Sequence, residues 1–437
     1  MNGLVGFFLI CAGIAQCLLP RRLLSLPLLM AFAWIPRAQV LELGDIKVTA
    51  FRLIIAIGLI RVVLRRERTA SGFVSMDAVW IVWSLAMLGT WALHTSNDLM
   101  FRTGLVWEYL GTYCLLRIAL SGYEDIERLF TVFCAVLVPV GLIMLVERYS
   151  GENPLGFIGG LPTQWREGNY RAAGPFSHPI LAGAVGSTAF LIGVSFWRRR
   201  PLVGWMGILA GAAIVHASAS SSPMLMTAFG LLALALWRCR AHLTTIRSSA
   251  LVLLLLLQAW MQDPVYYLMA KIDVVGGSTG WHRARLIQAA LEHFDEWWLA
   301  GTDRTVHWMP TGILANDQHT DLTNHFLAMG VMGGLPLLIP FVLAVYLLIR
   351  RVDLALGESA GLDDRNQFLA WTVGALVFAH ASNFLSAHLF DQTIVSFMLL
   401  FACAGVIGRQ KLEAVLPTRQ TPKRRAEPYD FAPHSLR

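Results

Sequence analysis

The chain has 437 residues, of which 56% are hydrophobic and only 14% charged, and its mean hydropathy is +0.57. Soluble domains carry about 25% charged residues, so this composition excludes an ordinary soluble protein and predicts an all-α polytopic membrane protein. The formal net charge of +7 does not indicate nucleic acid as a partner, because the basic residues concentrate in short connectors between apolar runs.

Apolar runs follow one another along the chain and predict about 12–13 transmembrane helices. The first run is followed at once by further runs, so we interpret it as a span and not as a signal peptide. The predicted spans are residues 3–19, 23–36, 48–63, 77–94, 102–120, 129–147, 178–197, 203–217, 223–238, 249–262, 324–349, 368–387 and 391–408.

Arginine-rich connectors set the predicted orientation of these spans. If the spans alternate, every connector falls on one side of the membrane, which the positive-inside rule assigns to the cytoplasm. The two long polar loops then lie together on the exoplasmic side, and the N-terminus lies outside. The connectors are residues 21–22, 65–68, 198–200, 238–247 and 350–351.

This order predicts N-terminal helices (1–147), a first exoplasmic loop (148–177), central helices (178–262), a large exoplasmic loop (263–323), C-terminal helices (324–410) and a cytoplasmic tail (411–437). The basic, proline-rich tail is expected to be disordered and attracted to anionic lipid headgroups. All six cysteines fall in or at the end of apolar runs, so neither a disulfide framework nor a zinc site is predicted. No nucleotide-binding motif is evident.

The large loop holds most of the residues that could carry chemistry. Arg283 and Arg285 precede a stretch with apolar residues at helical spacing, which predicts an interfacial helix whose first turn favours an anion. Arg304 is a further cationic candidate in this loop. The alternative is that these arginines only bind lipid headgroups.

The end of the large loop places His319 between Asp317 and Asp321. A neutral histidine there could take a proton from a sugar hydroxyl near neutral pH. A structural or capping histidine is the alternative. Small residues within 330–334 would let the following helix approach a neighbour closely.

The first loop ends in a proline-rich turn, residues 171–179, just before a predicted span. The turn is expected to hold Arg171 near the membrane surface on the same side as Arg283, so that the two arginines form a pyrophosphate site. His178 either contributes to this site or supports the turn. Near the last two spans, His380, Asn383, His388 and Asp391 either line a cavity or join helices by hydrogen bonds.

These patterns resemble the O-antigen ligase and polysaccharide polymerase superfamily, which consists of bacterial membrane glycosyltransferases. Residues 171–179 match its R-x-x-G-P-F-x-H-P pattern, and residues 218–222 loosely match an S-x-S segment. Arg283 precedes Ala289-Ala290-Leu291, Leu299-Ala300-Gly301 follows, and His319 stands eleven residues before Gly330-Val331-Met332-Gly333. The chain departs from the pattern at Ile287, Asp303 and Thr320, where tryptophan, glycine and asparagine are usual.

The resemblance implies an inverting, metal-independent glycosyltransferase of the GT-C type that uses no cofactor. Its donor would be a glycan on undecaprenyl pyrophosphate, and its acceptor a sugar at the outer face of the inner membrane. Arg171 and Arg283, with or without Arg285, would bind the pyrophosphate. His319 would position or deprotonate the acceptor hydroxyl, with Asp317 or Asp321 tuning it. The remaining substrate-binding candidates are His178 and Arg304.

Within the family, the turn at residues 171–179 favours a polymerase of exopolysaccharide or O-antigen repeats over a ligase that joins glycan to lipid A–core. A transporter or flippase of anionic glycolipids is an alternative of another class. A flippase needs charge within the helix bundle, whereas the sequence places nearly all charge in loops. A non-catalytic partner of other polysaccharide assembly or export proteins is a third reading.

Overall fold

The computed structural model describes residues 1–44, 46–94, 98–271, 280–357 and 361–408. The protein is 73% helical with almost no sheet. Within the described residues, six helical segments are long and apolar enough to cross a membrane, which is consistent with an all-α multi-pass membrane protein. The predicted tail, residues 411–437, lies outside the described residues.

The described part of residues 1–178 contains six α-helices and two short hairpins. The helices are α1 (Gly3–Leu18), α2 (Ser25–Trp34), α3 (Ala50–Leu64), α4 (Ser75–Gly89), α5 (Leu99–Ala119) and α6 (Tyr123–Ser150). The antiparallel hairpins pair β1 (Val40–Leu43) with β2 (Ile46–Thr49), and β3 (Gln164–Arg166) with β4 (Asn169–Arg171).

From Pro179 onward, the described residues form α-helices that are joined by turns and loops. These helices are α7 (Pro179–Phe196), α8 (Pro201–Ser218), α9 (Ser221–Ala235), α10 (Leu243–Trp260), α11 (Gly280–Glu292), α12 (Phe294–Trp297), α13 (His325–Leu356), α14 (Asp364–Phe384) and α15 (Val395–Ala402).

The six membrane-crossing candidates cover part of the predicted spans. They are Ser75–Leu93, Tyr123–Ser150, Pro179–Phe196, Pro201–Ser218, Ser221–Trp260 and His325–Leu356. The predicted spans 223–238 and 249–262 are joined into one continuous segment, because the 3-10 turn Leu236–His242 connects α9 to α10. The other predicted spans contain helices that are shorter or less apolar, and the total of 12–13 stays a prediction.

Helices α7 and α8 form a closely packed pair in the interior. Their glycines make this possible, because a Cβ on Gly193 would lie 2.4 Å from the Ile208 nitrogen, and one on Gly211 would lie 2.4 Å from the Phe190 nitrogen. Small residues that bring helix backbones together are typical of helix packing in membranes. Most side chains of α7 are buried as a result.

Helix α6 shows how the charged connectors and the long loops are separated. Near its start, Glu127 pairs with Arg200 at 2.7 Å and with Arg365 at 2.5 Å. Near its end, Glu147 accepts hydrogen bonds from the backbone of the first loop, including the Gly174 nitrogen at 2.8 Å. Glu127 and Glu147 are twenty positions apart along the helix, which corresponds to about 30 Å. One arginine connector and the first loop are therefore held at opposite ends of the helix.

Helix α13 is broken at Gly333 and Gly334, where the backbone leaves the helical conformation. The break leaves backbone N–H and C=O groups of α13 without partners in the helix, and residues of the large loop form hydrogen bonds with them. The Thr302 nitrogen donates to the Val331 oxygen at 2.9 Å, and the Leu335 nitrogen donates to the Trp298 oxygen at 2.8 Å. The small residues of 330–334 therefore admit close neighbours: Gly330 faces Trp297 of α12, and Gly334 faces Leu299 and Ala300 of the loop segment 298–302.

Gly301 allows the loop segment 298–302 to pass close to α13, and its substitution provides a stability test. Its φ is +91°, and a Cβ there would lie 2.2 Å from the Val331 oxygen. Gly301→Ala should therefore cost more than the about 1–2 kcal/mol of left-handed backbone alone and should lower the thermal unfolding midpoint of the purified protein. Gly72→Ala is the matched control, because Gly72 has φ +64° but open space around its Cβ position. Equal thermal unfolding midpoints for Gly301→Ala and Gly72→Ala would contradict the close contact between Gly301 and Val331.

Candidate functional site

A cavity of about 1010 Å³ lies between the end of the large loop, the start of α5 and the segment after α14. Four of the eight residues that the sequence singles out as site candidates line it, namely His178, Asp317, His319 and Asp321. The cavity thus lies where the end of the large loop approaches the start of α7. Its other polar lining residues include His94, Asp98, Arg102, Asp303 and His388.

The large loop folds back on itself to present His319 to the cavity. The Thr305 and Val306 nitrogens both donate to the Gln318 oxygen, at 2.9 and 3.0 Å. The Thr305 hydroxyl oxygen accepts from the Thr320 nitrogen at 3.1 Å and lies 3.3 Å from His319 Nδ1. Thr320, which departs from the family pattern, is therefore a structural residue whose side chain is buried and bonds the Ile313 oxygen at 3.0 Å.

Asp303 is the carboxylate that acts on His319. Burial lowers the pKa of the half-buried His319, and the charge of Asp303 opposes this effect. The sequence analysis assigned that influence to Asp317 or Asp321. Asp303 is itself held by His94, whose Nδ1 lies 2.6 Å from its carboxylate and whose Nε2 lies 2.7 Å from the Ala300 oxygen.

Asp321 belongs instead to the base of helix α11. Burial raises the pKa of its carboxyl, while His282 and Arg283 lower it. The buried His282 donates from Nε2 to the backbone carbonyl oxygen of Asp321 at 3.0 Å. The start of α11 is thereby fixed next to one wall of the cavity.

The hairpin of β3 and β4 places two arginines on one face. Its register pairs Arg166 with Asn169 and Gln164 with Arg171. Because cross-strand partners and alternate residues share a face, Arg166 and Arg171 lie on the same side. The other face carries Trp165 and Tyr170, whose ring centroids are 4.6 Å apart.

Arg171 is buried against the segment that matched the S-x-S pattern. Its Nη2 donates to the Ser220 hydroxyl at 2.7 Å and its Nε to the Ser218 oxygen at 3.4 Å. Burial lowers the pKa of Arg171 to about 10, and the charge of Arg166 contributes to this decrease. The guanidinium stays protonated near neutral pH but is held in an unfavourable environment. An anion bound there would relieve this cost.

The positive charge of Arg166, which lies in the first loop, also acts on Arg283. Burial lowers its pKa, the carboxylate of Asp321 raises it, and the charge of Arg166 lowers it further. Among the residues that the structure describes, the buried Nε of Arg283 has no hydrogen-bond partner. The charge of Arg166 thus acts on both Arg171 and Arg283, and these three residues are hereafter called the arginine cluster.

His178 connects the arginine cluster to the cavity. Its Nδ1 accepts from the Ile180 nitrogen at 3.2 Å, so the side chain caps the first turn of α7. Burial lowers the pKa of this histidine to about 4, and the charges of Arg171 and Arg166 add to the effect. A neutral capping role explains these observations, and the same side chain lines the cavity.

None of the four candidate arginines, Arg171, Arg283, Arg285 and Arg304, lines the cavity. Arg285 Nη1 donates to Glu292 at 3.0 Å along the surface of α11, and Arg304 is exposed. The sequence did not decide between Arg283 and Arg285 as the anion-binding candidate, and these contacts favour Arg283.

The polar residues near the last helices divide between the two expected roles. His380 lies 3.0 Å from the Thr188 hydroxyl, and Asn383 accepts from the Ser222 hydroxyl at 2.8 Å. Asp391 pairs with Arg37 and accepts from the Ser177 hydroxyl. These three join helices and loops, whereas His388 lines the cavity.

Sequence reasoning missed Arg166, His94 and Arg102 as parts of this site. Arg166 had a weak local signal, because Glu167 and Gly168 both have positive φ, as the tight turns of two-residue hairpins require. His94 and Arg102 had no such signal. They stand at the borders of apolar runs, and only the packing of α4 and α5 against the large loop brings them to the cavity.

The sequence matches no protein-family model, and no curated protein shows significant similarity to it. The function is therefore inferred from the residues and their arrangement. That arrangement combines a half-buried, neutral histidine in a large cavity with an arginine cluster beside it.

Arg171→Lys tests whether a fork of N–H donors is needed at this position. An ammonium group cannot contact Ser218, Ser220 and an anion with the geometry of a guanidinium. Loss of one hydrogen bond to a charged group costs about 1.5–3 kcal/mol. If the protein is the glycosyltransferase that the sequence resemblance implies, its activity should then fall about 10- to 100-fold. Arg148→Lys is the control, since Arg148 contacts the same hairpin at Asn169 but does not belong to the arginine cluster. Full activity of Arg171→Lys would exclude anion clamping there.

Proposed function

We propose that this protein is a glycosyltransferase that acts at the exoplasmic face of the bacterial inner membrane. It would transfer glycan from an undecaprenyl-pyrophosphate donor to an acceptor sugar and so polymerise exopolysaccharide or O-antigen repeats. The arginine cluster is the observation that carries this proposal. The charge of Arg166 lowers the pKa of both Arg171 and Arg283. This arrangement is unfavourable in isolation, and a pyrophosphate would compensate for the positive charge.

The proposed reaction is a single displacement with inversion. The acceptor hydroxyl oxygen attacks the anomeric carbon, and the bond from that carbon to the pyrophosphate oxygen breaks. Negative charge grows on the departing lipid pyrophosphate, where the preorganised cations of Arg171, Arg166 and Arg283 would stabilise it. The energy of the donor drives the reaction, so no nucleotide is required.

His319 would receive the proton of the acceptor hydroxyl. Its lowered pKa keeps the imidazole neutral near neutral pH, as a base must be. With Nδ1 next to the Thr305 hydroxyl, Nε2 is the nitrogen that we assign to proton transfer. Asp303 would stabilise the imidazolium that results. Asp317, which is exposed at the cavity, would contact sugar hydroxyls.

The cavity is large enough for carbohydrate from two substrates. Its volume of about 1010 Å³ lies at the upper end of small-molecule sites. An open cavity with many polar side chains is better suited to binding sugars than to binding an acyl chain. The lipid tail of the donor would stay in the surrounding bilayer.

The transporter alternative needs a correction. The sequence analysis argued that nearly all charge lies in loops, but α5 buries Arg102, Glu108 and Arg117 inside the helix bundle. Glu108 pairs with Arg52 at 2.7 Å, and Arg102 pairs with Asp98 at 3.0 Å. Buried charges of this kind occur in transporters. Their pairing within the protein is the reason that we favour transfer over transport.

Purified protein in nanodiscs, incubated with a defined undecaprenyl-pyrophosphate repeat with and without lipid A–core, separates these functions. A polymerase lengthens the repeat without lipid A–core, whereas a ligase needs it. Movement of the intact donor across vesicles without new glycosidic bonds would indicate a transporter. Absence of any new bond in both nanodisc reactions would reject the glycosyltransferase proposal.

A further inference from the structure

A second group of polar side chains lies in the large loop outside the cavity lining. His293 follows α11, Glu296 lies in α12, and His307 lies in the 3-10 turn Val306–Trp308. One ligand atom from each of these three residues lies within 4.8 Å of the other two. The sequence analysis predicted no metal site, and His293 and His307 are fourteen positions apart in the chain.

The distances between the donor atoms fit a tetrahedral metal ion. His293 Nδ1 lies 2.8 Å from Glu296 Oε1, and His307 Nε2 lies 2.9 Å from Oε2. Zinc binds imidazole nitrogen and carboxylate oxygen at about 2.0–2.2 Å, so neighbouring ligand atoms in a tetrahedron are about 3.3–3.5 Å apart. A movement of about 0.5 Å of these surface side chains would admit the ion.

The surroundings of the cluster hold its ligands in place. Trp308 Nε1 donates to Glu296 Oε2 at 2.9 Å, and the His293 ring stacks on Trp308 at 5.7 Å with an interplanar angle of 5°. Ligand-orienting contacts of this kind are typical of metal centres.

We propose that His293, Glu296 and His307 bind a divalent transition-metal ion, with Zn²⁺ the best match to two imidazoles and one carboxylate. The side chains of His293 and His307 are 31% and 42% exposed, which leaves the fourth position to water. The ion would join α12 to the turn at 306–308. Between them lies the segment with Asp303 and Thr305, which contact His94 and His319. The metal would thus rigidify this wall of the cavity and take no part in sugar transfer.

Isothermal titration calorimetry of tag-free, full-length protein with Zn²⁺ tests the proposal. We expect one ion per chain, with affinity reduced more than about 100-fold in Glu296→Gln and in His307→Gln. Glutamine keeps hydrogen-bonding capacity in both variants but removes a ligand. His242→Gln is the matched control, because His242 is exposed and lies far along the chain in another turn; it should bind Zn²⁺ like the unmodified protein.

Thermal unfolding with and without Zn²⁺ separates binding from misfolding. Zn²⁺ should raise the unfolding midpoint of the unmodified protein and of His242→Gln, because a ligand that binds the folded state stabilises it. Glu296→Gln should unfold at the midpoint of the metal-free protein, with no shift on addition of Zn²⁺. Equal Zn²⁺ affinity in Glu296→Gln, His307→Gln and the unmodified protein would overturn the proposal, as would a lack of stoichiometric binding.

Discussion

His319→Ala should reduce polymer formation by about 100- to 10,000-fold, the usual contribution of a general base, without lowering the amount of protein in the membrane. The imidazole contributes no buried packing that the cavity needs, since His319 is half-buried at its edge. Chain lengths of the polysaccharide and the nanodisc reaction both measure the effect. His242→Ala, an exposed histidine outside the site, is the control. Wild-type chain lengths in a well-expressed His319→Ala strain would remove the proposed base.

The pH dependence of the nanodisc reaction adds an independent test of His319. Burial lowers its pKa below the ordinary value of 6.5. A base acts in its neutral form, so activity should be present above the lowered pKa and fall as the pH drops through it. The acidic limb of the rate profile should therefore have its midpoint below 6.5. Replacement of Asp303 by asparagine should move that midpoint lower still, because the carboxylate favours the charged imidazole.

Arg283→Ala should lower transfer by about 100- to 1,000-fold, the cost of removing one donor to a developing negative charge. Its effect should appear mainly in the catalytic rate constant, because the charge on the leaving pyrophosphate grows in the transition state. Arg283→Lys should recover little, since an ammonium lacks the fork geometry. The nanodisc assay with varied donor concentration measures both constants.

Arg285→Ala is the matched control for Arg283→Ala. Both arginines lie in the first two turns of α11, and neither lines the cavity. Arg285 bonds Glu292 on the surface, whereas the buried Nε of Arg283 has no hydrogen-bond partner among the described residues. We expect Arg285→Ala to keep activity within about threefold, as surface ion pairs contribute little. If Arg285→Ala were inactive and Arg283→Ala active, the arginine cluster would be assigned to the wrong residue.

Several features followed from the amino-acid pattern without the structure. Long apolar runs predicted helices such as α6 and α13, because a hydrophobic segment of this length satisfies its backbone only within itself in a bilayer. The proline-rich turn at residues 171–179 and the end of the large loop were also recognisable. Both contribute lining residues to one cavity. These predictions rest on local composition and spacing, which the chain carries in every conformation.

The pairing of these segments in space depended on tertiary packing. Asp303 acts on His319 because His94, more than two hundred residues earlier, holds it there. Arg166 joins the arginine cluster because a hairpin register places it beside Arg171. Electrostatic effects depend on distance and burial, and neither can be read from residue order. Composition and periodicity therefore indicated a helical membrane protein with two polar loops, while the folded chain decided which charges meet at the cavity.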